Sequence, residues 1–302
     1  MRLVKFAGIG LLIIVLCAAV GAYVVYAMTT HRMNNTFVIA DEVFPIPSDA
    51  AAVERGRHLA QSLAGCTQCH GEDLGGAVET DIPPLLTVRG PNLTAGSGSV
   101  TLGYTNADWI RAIRHGVNRQ GRPLVIMPSN AYANLTTADV GAIIAAVKTY
   151  PPVERTMEPP SVGPVGRVLM LLGQFDVLPA EKIDHARPAP QPVSFATAAE
   201  EGHYLVASGG CSDCHRKDLS GGRIPGTPKS MPVAANLTPK GPLSGYSESD
   251  FKTLFRTGKR PNGTELHEMM PWKSFGKMSD PELAGVYAYL QTLPPAEMQD
   301  PE

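Results

Sequence analysis

Cys66-Thr67-Gln68-Cys69-His70 and Cys211-Ser212-Asp213-Cys214-His215 are one five-residue pattern, CxxCH, met twice at a separation of 145 residues. The likeness continues outward from both copies. Asn92-Leu93-Thr94 answers Asn236-Leu237-Thr238, Gly116 answers Gly258 and Pro151-Pro152 answers Pro294-Pro295, at separations of 144, 142 and 143. Self-similarity at a near-constant period marks a duplicated unit, so two copies of one domain are expected at 45–155 and 195–297. The stretch between them, 156–194, holds seven prolines and reads as a linker. Its apolar run VGRVLMLLGQFDVL is too short to cross a membrane and predicts a short helix packed between the two domains, with a membrane-resting or quinone-contacting role as the alternative.

Helix signals recur in both copies. Thr105-x-x-Asp108 and Ser247-x-x-Asp250 are capping-type starts that open WIRAIRHG and FKTLFRTG, the hydroxyl serving a backbone N–H that the first helical turn leaves unpaired. Thr136-x-x-Asp139 and Ser279-x-x-Glu282 open DVGAIIAAVKTY and ELAGVYAYLQTL, whose apolar spacing is helical and whose ends are set by the double prolines. A further helix, 51–63 in the first copy and 198–207 in the second, leads into each CxxCH. No sustained alternating pattern predicts strands, so the fold class is all-α.

Two thiols three positions apart, followed at once by an imidazole, let one porphyrin receive two thioether links while the adjacent histidine reaches its iron. Two covalently bound haem c groups are the expectation, on Cys66, Cys69 and His70 and on Cys211, Cys214 and His215. A zinc site would need four ligands, and neither copy holds further cysteines; a redox-active dithiol expects a βαβ setting that a helical repeat does not provide. Iron that shuttles electrons usually takes a second axial ligand, and methionine is the one that raises the potential. Met127, in LVIMPSNAY, is the only methionine between the first motif and the end of its domain. The second copy reads ELHEMMPWKSF, where Met269 and Met270 compete and the shared Met-Pro step favours Met270. Met231 also precedes a proline but lies ahead of the Asn-Leu-Thr landmark and is set aside.

His58 and His203 share the 145-residue separation and are read as surface or packing residues, with His267 a rival ligand beside Met270. Trp109, Phe251, Tyr104 and Tyr246 match between copies as aromatic packing. Arg89, Arg114 and Arg256 are read as solvated, with haem propionates as the alternative partner.

Residues 6–27, FAGIGLLIIVLCAAVGAYVVYA, run without a formal charge and are long enough to span a bilayer as a helix. Arg2 and Lys5 precede them and no acidic residue occurs before Asp41, which holds the N-terminus inside and sends the remainder across. The segment 1–33 is therefore a transmembrane anchor, with a cleaved signal as the alternative, and Cys17 within it is a spectator thiol. Five cysteines in 302 residues make no disulfide scaffold. A net charge of −2 gives no basic face for nucleic acid.

From about Ala50 to Pro295 the sequence resembles two class I cytochrome c domains in tandem. The wording NLT…WIRAIRHGVNRQGRPL…MP…LTTADVGAIIAAVKTYPP is similar to the cytochrome subunits of bacterial membrane-bound dehydrogenases for alcohols, gluconate and related sugar acids. That resemblance implies small helical domains around covalently held haem, on the periplasmic face of the inner membrane. Carried onto this sequence, it places Cys66, Cys69, His70 and Met127 on the first haem and Cys211, Cys214, His215 and Met270 on the second. The family subunits have three haem domains and often a C-terminal membrane segment, where this sequence shows two and an N-terminal one. The function expected is electron transfer in the respiratory chain, from a dehydrogenase or quinol-linked donor to an oxidase or soluble cytochrome, with no catalytic residues. A di-haem peroxidase, a thiosulfate-oxidising enzyme and an oxidase-associated subunit are the alternatives.

Overall fold

The structure, a computed structural model, describes residues 2–299, with residues 2–4 described by backbone alone; Met1 of the expected anchor lies outside the described residues. Helix α1 (Arg2–Asn34) is the apolar N-terminal helix, and its membrane-length stretch is unburied. The first repeat follows as α2 (Ala50–Gln61), α3 (Cys66–His70), strands β1 (Ala77–Ile82) and β2 (Leu86–Gly90), α4 (Asn106–His115), α5 (Ser129–Tyr132) and α6 (Thr137–Val147). Strand β3 (Ser161–Val162) and helix α7 (Pro164–Leu171) lie in the linker. The second repeat is α8 (Ala198–Ser208), α9 (Cys211–His215), α10 (Glu248–Thr257), α11 (Trp272–Phe275) and α12 (Asp280–Gln291).

The predicted helix starts operate as their chemistry requires. Thr105 with Asp108, Ser247 with Asp250 and Ser279 with Glu282 each form a reciprocal capping box. Thr136 accepts from the Asp139 N–H, but Asp139 gives nothing back and turns its carboxylate outward to other partners. Helices α4 and α10 both end on a left-handed glycine, Gly116 and Gly258. At Gly258 a Cβ would stand 2.8 Å from the Trp272 ring, so both its backbone angle and its lack of a side chain are used.

In each repeat the helix leading into CxxCH crosses the terminal helix at a glycine. A Cβ on Gly56 would lie 1.8 Å from the Ala142 carbonyl oxygen, and one on Gly202 would lie 1.9 Å from that of Gly285. These two glycines are 146 residues apart, not 145, because the first copy carries one extra residue between Ser62 and Cys66. The structural counterpart of His58 is therefore Tyr204, and the matched spacing of His58 and His203 does not make them equivalent.

One apolar core runs through both repeats, from Leu59, Trp109, Ile110, Ile143 and Ile144 to Leu205, Phe251, Phe255, Leu283 and Leu290. Trp109 meets Tyr104 edge-on, and Phe251 packs on Phe255 and Tyr287; Trp109, Phe251 and Phe255 are buried in the core and the two tyrosines pack against it. The predominantly helical architecture matches expectation, but a small antiparallel sheet of order β1-β2-β3 does not. The linker supplies β3 and folds back onto the first repeat, where Val162, Met170, Val177 and Leu178 join Leu86 and Val88 in a second small core. Helix α7 consequently packs against α1 and the β1–β2 connection rather than between the two repeats.

The arginines also depart from expectation. Arg256 donates to the carbonyls of Gly276 and Met278 and pairs with Asp280. In the first repeat the linker's Arg187 takes the matching carbonyl, Ala133. Arg114, freed from that task, is only 2% exposed and pairs with Glu42. Arg89 reaches the Pro159 carbonyl. None of the three is a freely solvated cation.

Candidate haem sites

Each CxxCH forms one short helix opened by a left-handed glycine, Gly65 or Gly210. Cys66, Cys69, Cys211 and Cys214 are all free thiols. Burial, reinforced by the neighbouring cysteine, pushes Cys66 and Cys211 up to about 12, and burial with Glu79 nearby pushes Cys69 to about 11. A reactive dithiol works as a thiolate at neutral pH. These thiols stay protonated, so the pairs do not have the electrostatics of an exchange catalyst.

The histidines are held by backbone. His70 Nδ1 lies 2.8 Å from the Pro91 carbonyl oxygen, and His215 Nδ1 lies 2.7 Å from that of Ala235. Burial lowers both imidazoles from the ordinary value, keeping the rings neutral, so the Nδ1–H donates to the carbonyl. Nε2 is left with a free lone pair, the tautomer an axial metal ligand needs. The carbonyls precede Asn92 and Asn236, and this explains the Asn-Leu-Thr landmarks. Asn92 is buried, accepts from the Thr94 N–H and donates to the carbonyls of Val153 and Arg155; Asn236 accepts from the Thr238 N–H and donates to that of Ala296. The landmark thus clamps the segment behind the histidine to the chain that follows the double proline. Pro91 and Ala235 act through main-chain atoms, which carry no residue-type signal in a sequence.

The methionine loops have the same backbone in both repeats. The Ser129 N–H donates to the Met127 carbonyl at 2.7 Å, and the Trp272 N–H donates to that of Met270 at 2.7 Å. The intervening prolines have φ, ψ of −79°, 53° and −77°, 48°. Met127 and Met270 both pack against the core, whereas Met269 is 48% exposed. His267 is exposed and its Nδ1 accepts from the Met269 N–H at 3.2 Å. His58 pairs with Glu282 at 2.7 Å, and His203 stacks on Tyr289. Among the described residues, no three His, Cys, Asp or Glu side chains converge as a zinc site requires. Each repeat thus offers two free cysteine thiols, one oriented neutral imidazole and a methionine packed against the core, a set of residue types that fits haem c.

The two sites face each other. Asn130, just after the first methionine loop, donates to Asp213 of the second motif at 2.9 Å, and Ser274, just after the second loop, donates to Gln68 of the first motif at 3.3 Å. Gln68 and Asp213 hold the same place within CxxCH, so the contact has approximate two-fold symmetry. A cleft of about 380 Å³ opens at this junction, lined by Thr67 and Gln68 from one side and Met270, Trp272 and Ser274 from the other. Away from it, Arg55 bridges Asp139 at 3.2 Å and Glu282 at 2.9 Å, and Tyr204 donates to Asp139 at 2.6 Å.

A helical repeat that carries a CxxCH helix and, further along, a Met-Pro loop has the make-up of the c-type cytochrome class. Comparison with known families agrees: residues 51–145 match the family of subunit III of cbb3-type cytochrome c oxidase, and residues 199–294 match the cytochrome c family. The chain therefore carries two cytochrome c domains in tandem. It is 26% identical over 275 residues to the cytochrome c subunit of a quinone alcohol dehydrogenase from Gluconacetobacter polyoxogenes, covering 82% of this chain and 57% of the relative. It is 28% identical over 111 residues to the fructose dehydrogenase cytochrome subunit of Gluconobacter japonicus (34% and 23% covered), and 31% identical over 112 residues to the gluconate 2-dehydrogenase cytochrome c subunit of Pantoea cypripedii (32% and 25% covered). The chain spans little more than half the length of the alcohol dehydrogenase subunit.

Proposed function

We propose that this chain is a membrane-anchored electron carrier with two haem c groups, one in each of two domains bounded at 45–155 and 195–297. Cys66 and Cys69 would attach the first, with His70 and Met127 to bind its iron; Cys211 and Cys214 would attach the second, with His215 and Met270 to bind its iron. Haem supplies one-electron ferric–ferrous chemistry when bound. The chain's own part is to orient the imidazoles through Pro91 and Ala235 and to supply one methionine sulfur from each Met-Pro loop. The observation that carries this reading is the repeated Met-Pro loop, the same in backbone geometry at both sites. A peroxidase needs one iron accessible to peroxide, whereas both repeats offer a methionine sulfur as a second ligand. The chain is accordingly read as an electron-transfer subunit without catalytic residues of its own.

The names of the relatives support a dehydrogenase as donor partner, with a quinol-linked complex as the second possibility and an oxidase or soluble cytochrome as acceptor. The N-terminal helix reads as the anchor, with both haem domains on the periplasmic side. Optical spectra of the matured chain, with haem counted per polypeptide, test the assignment. Two low-spin haems inert to peroxide are expected. Met127→Ala and Met270→Ala should each keep haem covalently attached while one iron becomes high-spin; a spectrum unchanged by either substitution rejects that methionine, and a peroxide-reactive wild type rejects the carrier.

A further inference from the structure

Electron transfer makes no use of a surface beside the N-terminal helix. Helix α7 buries Gly166 and Met170 and exposes Val165 and Val168 by 46 and 44%, and its C-terminal cap, Leu172, is 64% exposed. At spacings of three and four residues these three form one stripe. The tip of the β1–β2 hairpin adjoins it: the Val165 N–H donates to the Pro84 carbonyl at 3.2 Å, and Ile82, 54% exposed, and Pro83 lie next along the turn. No charged side chain interrupts residues 82–85 or the stripe.

The one charge on α7 points to α1 instead. Arg167 donates to Thr29 Oγ1 at 2.7 Å and Thr30 Oγ1 at 3.0 Å, and its guanidinium lies 4.4 Å from the centre of the Tyr26 ring. From the other side Arg32 donates to the Met170 carbonyl at 2.9 Å and pairs with Glu181 at 2.5 Å. Helix α7 is therefore pinned to residues 26–32. The uncharged run 6–27 is roughly 33 Å long as a helix, against a hydrocarbon core of about 30 Å. Residues 26–32 thus emerge at the headgroup level, where Tyr and Arg are favoured, and α7 is held at that height.

We propose that the α7 stripe and the β1–β2 tip rest in the headgroup–acyl boundary of the phospholipid bilayer, so that the first cytochrome domain lies against the membrane. The occupant is lipid because the patch is apolar, is tied to the segment leaving the bilayer and has the arrangement of an interfacial helix. The proposal rests on reading α1 as a retained anchor.

Nitroxide labels at Val168→Cys and Leu172→Cys in the haem-loaded full chain, with Cys17→Ser, test it in phosphatidylethanolamine–phosphatidylglycerol nanodiscs. Glu248→Cys on α10 is the water-exposed control, and the haem spectrum reports folding. Labels at 168 and 172 should be relaxed by oxygen relative to an aqueous nickel chelate several-fold more than the control. Retained residues 1–34 by intact mass, with nickel access equal to the control, overturn this proposal alone. A mass lacking α1 overturns the anchor reading and the proposal with it.

Discussion

At the scale of single residues, the sites depend on groups that hold a ligand rather than serve as one. Trp272 follows the second Met-Pro step and presses on Gly258, which has φ of 71°. Gly258→Ala would combine left-handed strain with displacement of the indole, costing roughly 2–3 kcal/mol. Gly263 has φ of 82° but open space around it, so Gly263→Ala should cost only about 1 kcal/mol. Denaturant midpoints of the haem-loaded variants give both values. Only Gly258→Ala should also weaken the spectral signature of Met-sulfur ligation in the second domain. Equal effects of the two substitutions would mean that the indole does not support the loop.

At the scale of elements, each domain turns on one helix crossing. The Cβ of an alanine at 56 or 202 would meet a backbone carbonyl, which cannot rotate away as a flexible side chain can. Gly56→Ala or Gly202→Ala should therefore separate the crossing helices and cost about 3 kcal/mol or more, read as a loss of thermal stability in the substituted domain. Gly8 in α1 has nothing within 4 Å, and Gly8→Ala should leave both domains unchanged. Stability equal to wild type in Gly56→Ala would show that the two helices do not meet at this point. The crossing also accounts for how the helix histidines are placed. A one-residue difference before each motif moves His58 onto the domain junction beside Glu282 and leaves His203 on Tyr289.

At the scale of the whole molecule, the two domains are joined by a partly buried polar network laid over a common core. Burial by itself would raise the Glu282 carboxyl, but hydrogen bonds from His58 and the Ser279 N–H, with the charges of His58 and Arg55, hold it at about 2 against an ordinary 4.5. A carboxyl lowered on folding adds stability that is fully present above its unfolded value and lost as pH falls through the folded one. The network's contribution should thus be intact at neutral pH and decline between about 4.5 and 2. Glu282→Gln should cost about 2 kcal/mol at neutral pH and flatten the dependence of melting temperature on pH in that acid range. A variant with the wild-type acid profile would remove Glu282 from the junction's energetics. Separate contacts, Asn130 to Asp213 and Ser274 to Gln68, hold each motif helix against the segment after the other domain's methionine loop, a fixed arrangement that suits electron passage between two sites in one chain.

Much of this organisation could be read in the sequence because the chemistry is covalently spaced. CxxCH must have its thiols and imidazole in fixed order, helix caps announce themselves by hydroxyl–carboxylate pairs, and a duplicated domain repeats both; the long uncharged run before them is equally explicit. Tertiary structure decided what depends on partners distant in the chain. The sheet leaves no mark in the sequence because its strands are short and its third comes from the linker. The burial of Arg114 leaves none because its partner, Glu42, lies 72 residues away. The placement of α7 beside α1, the carbonyls that orient His70 and His215, and the non-equivalence of His58 and His203 likewise arise from packing. Local order specifies which groups can bond to a cofactor, while the burial, orientation and pairing of those groups exist only once remote segments meet.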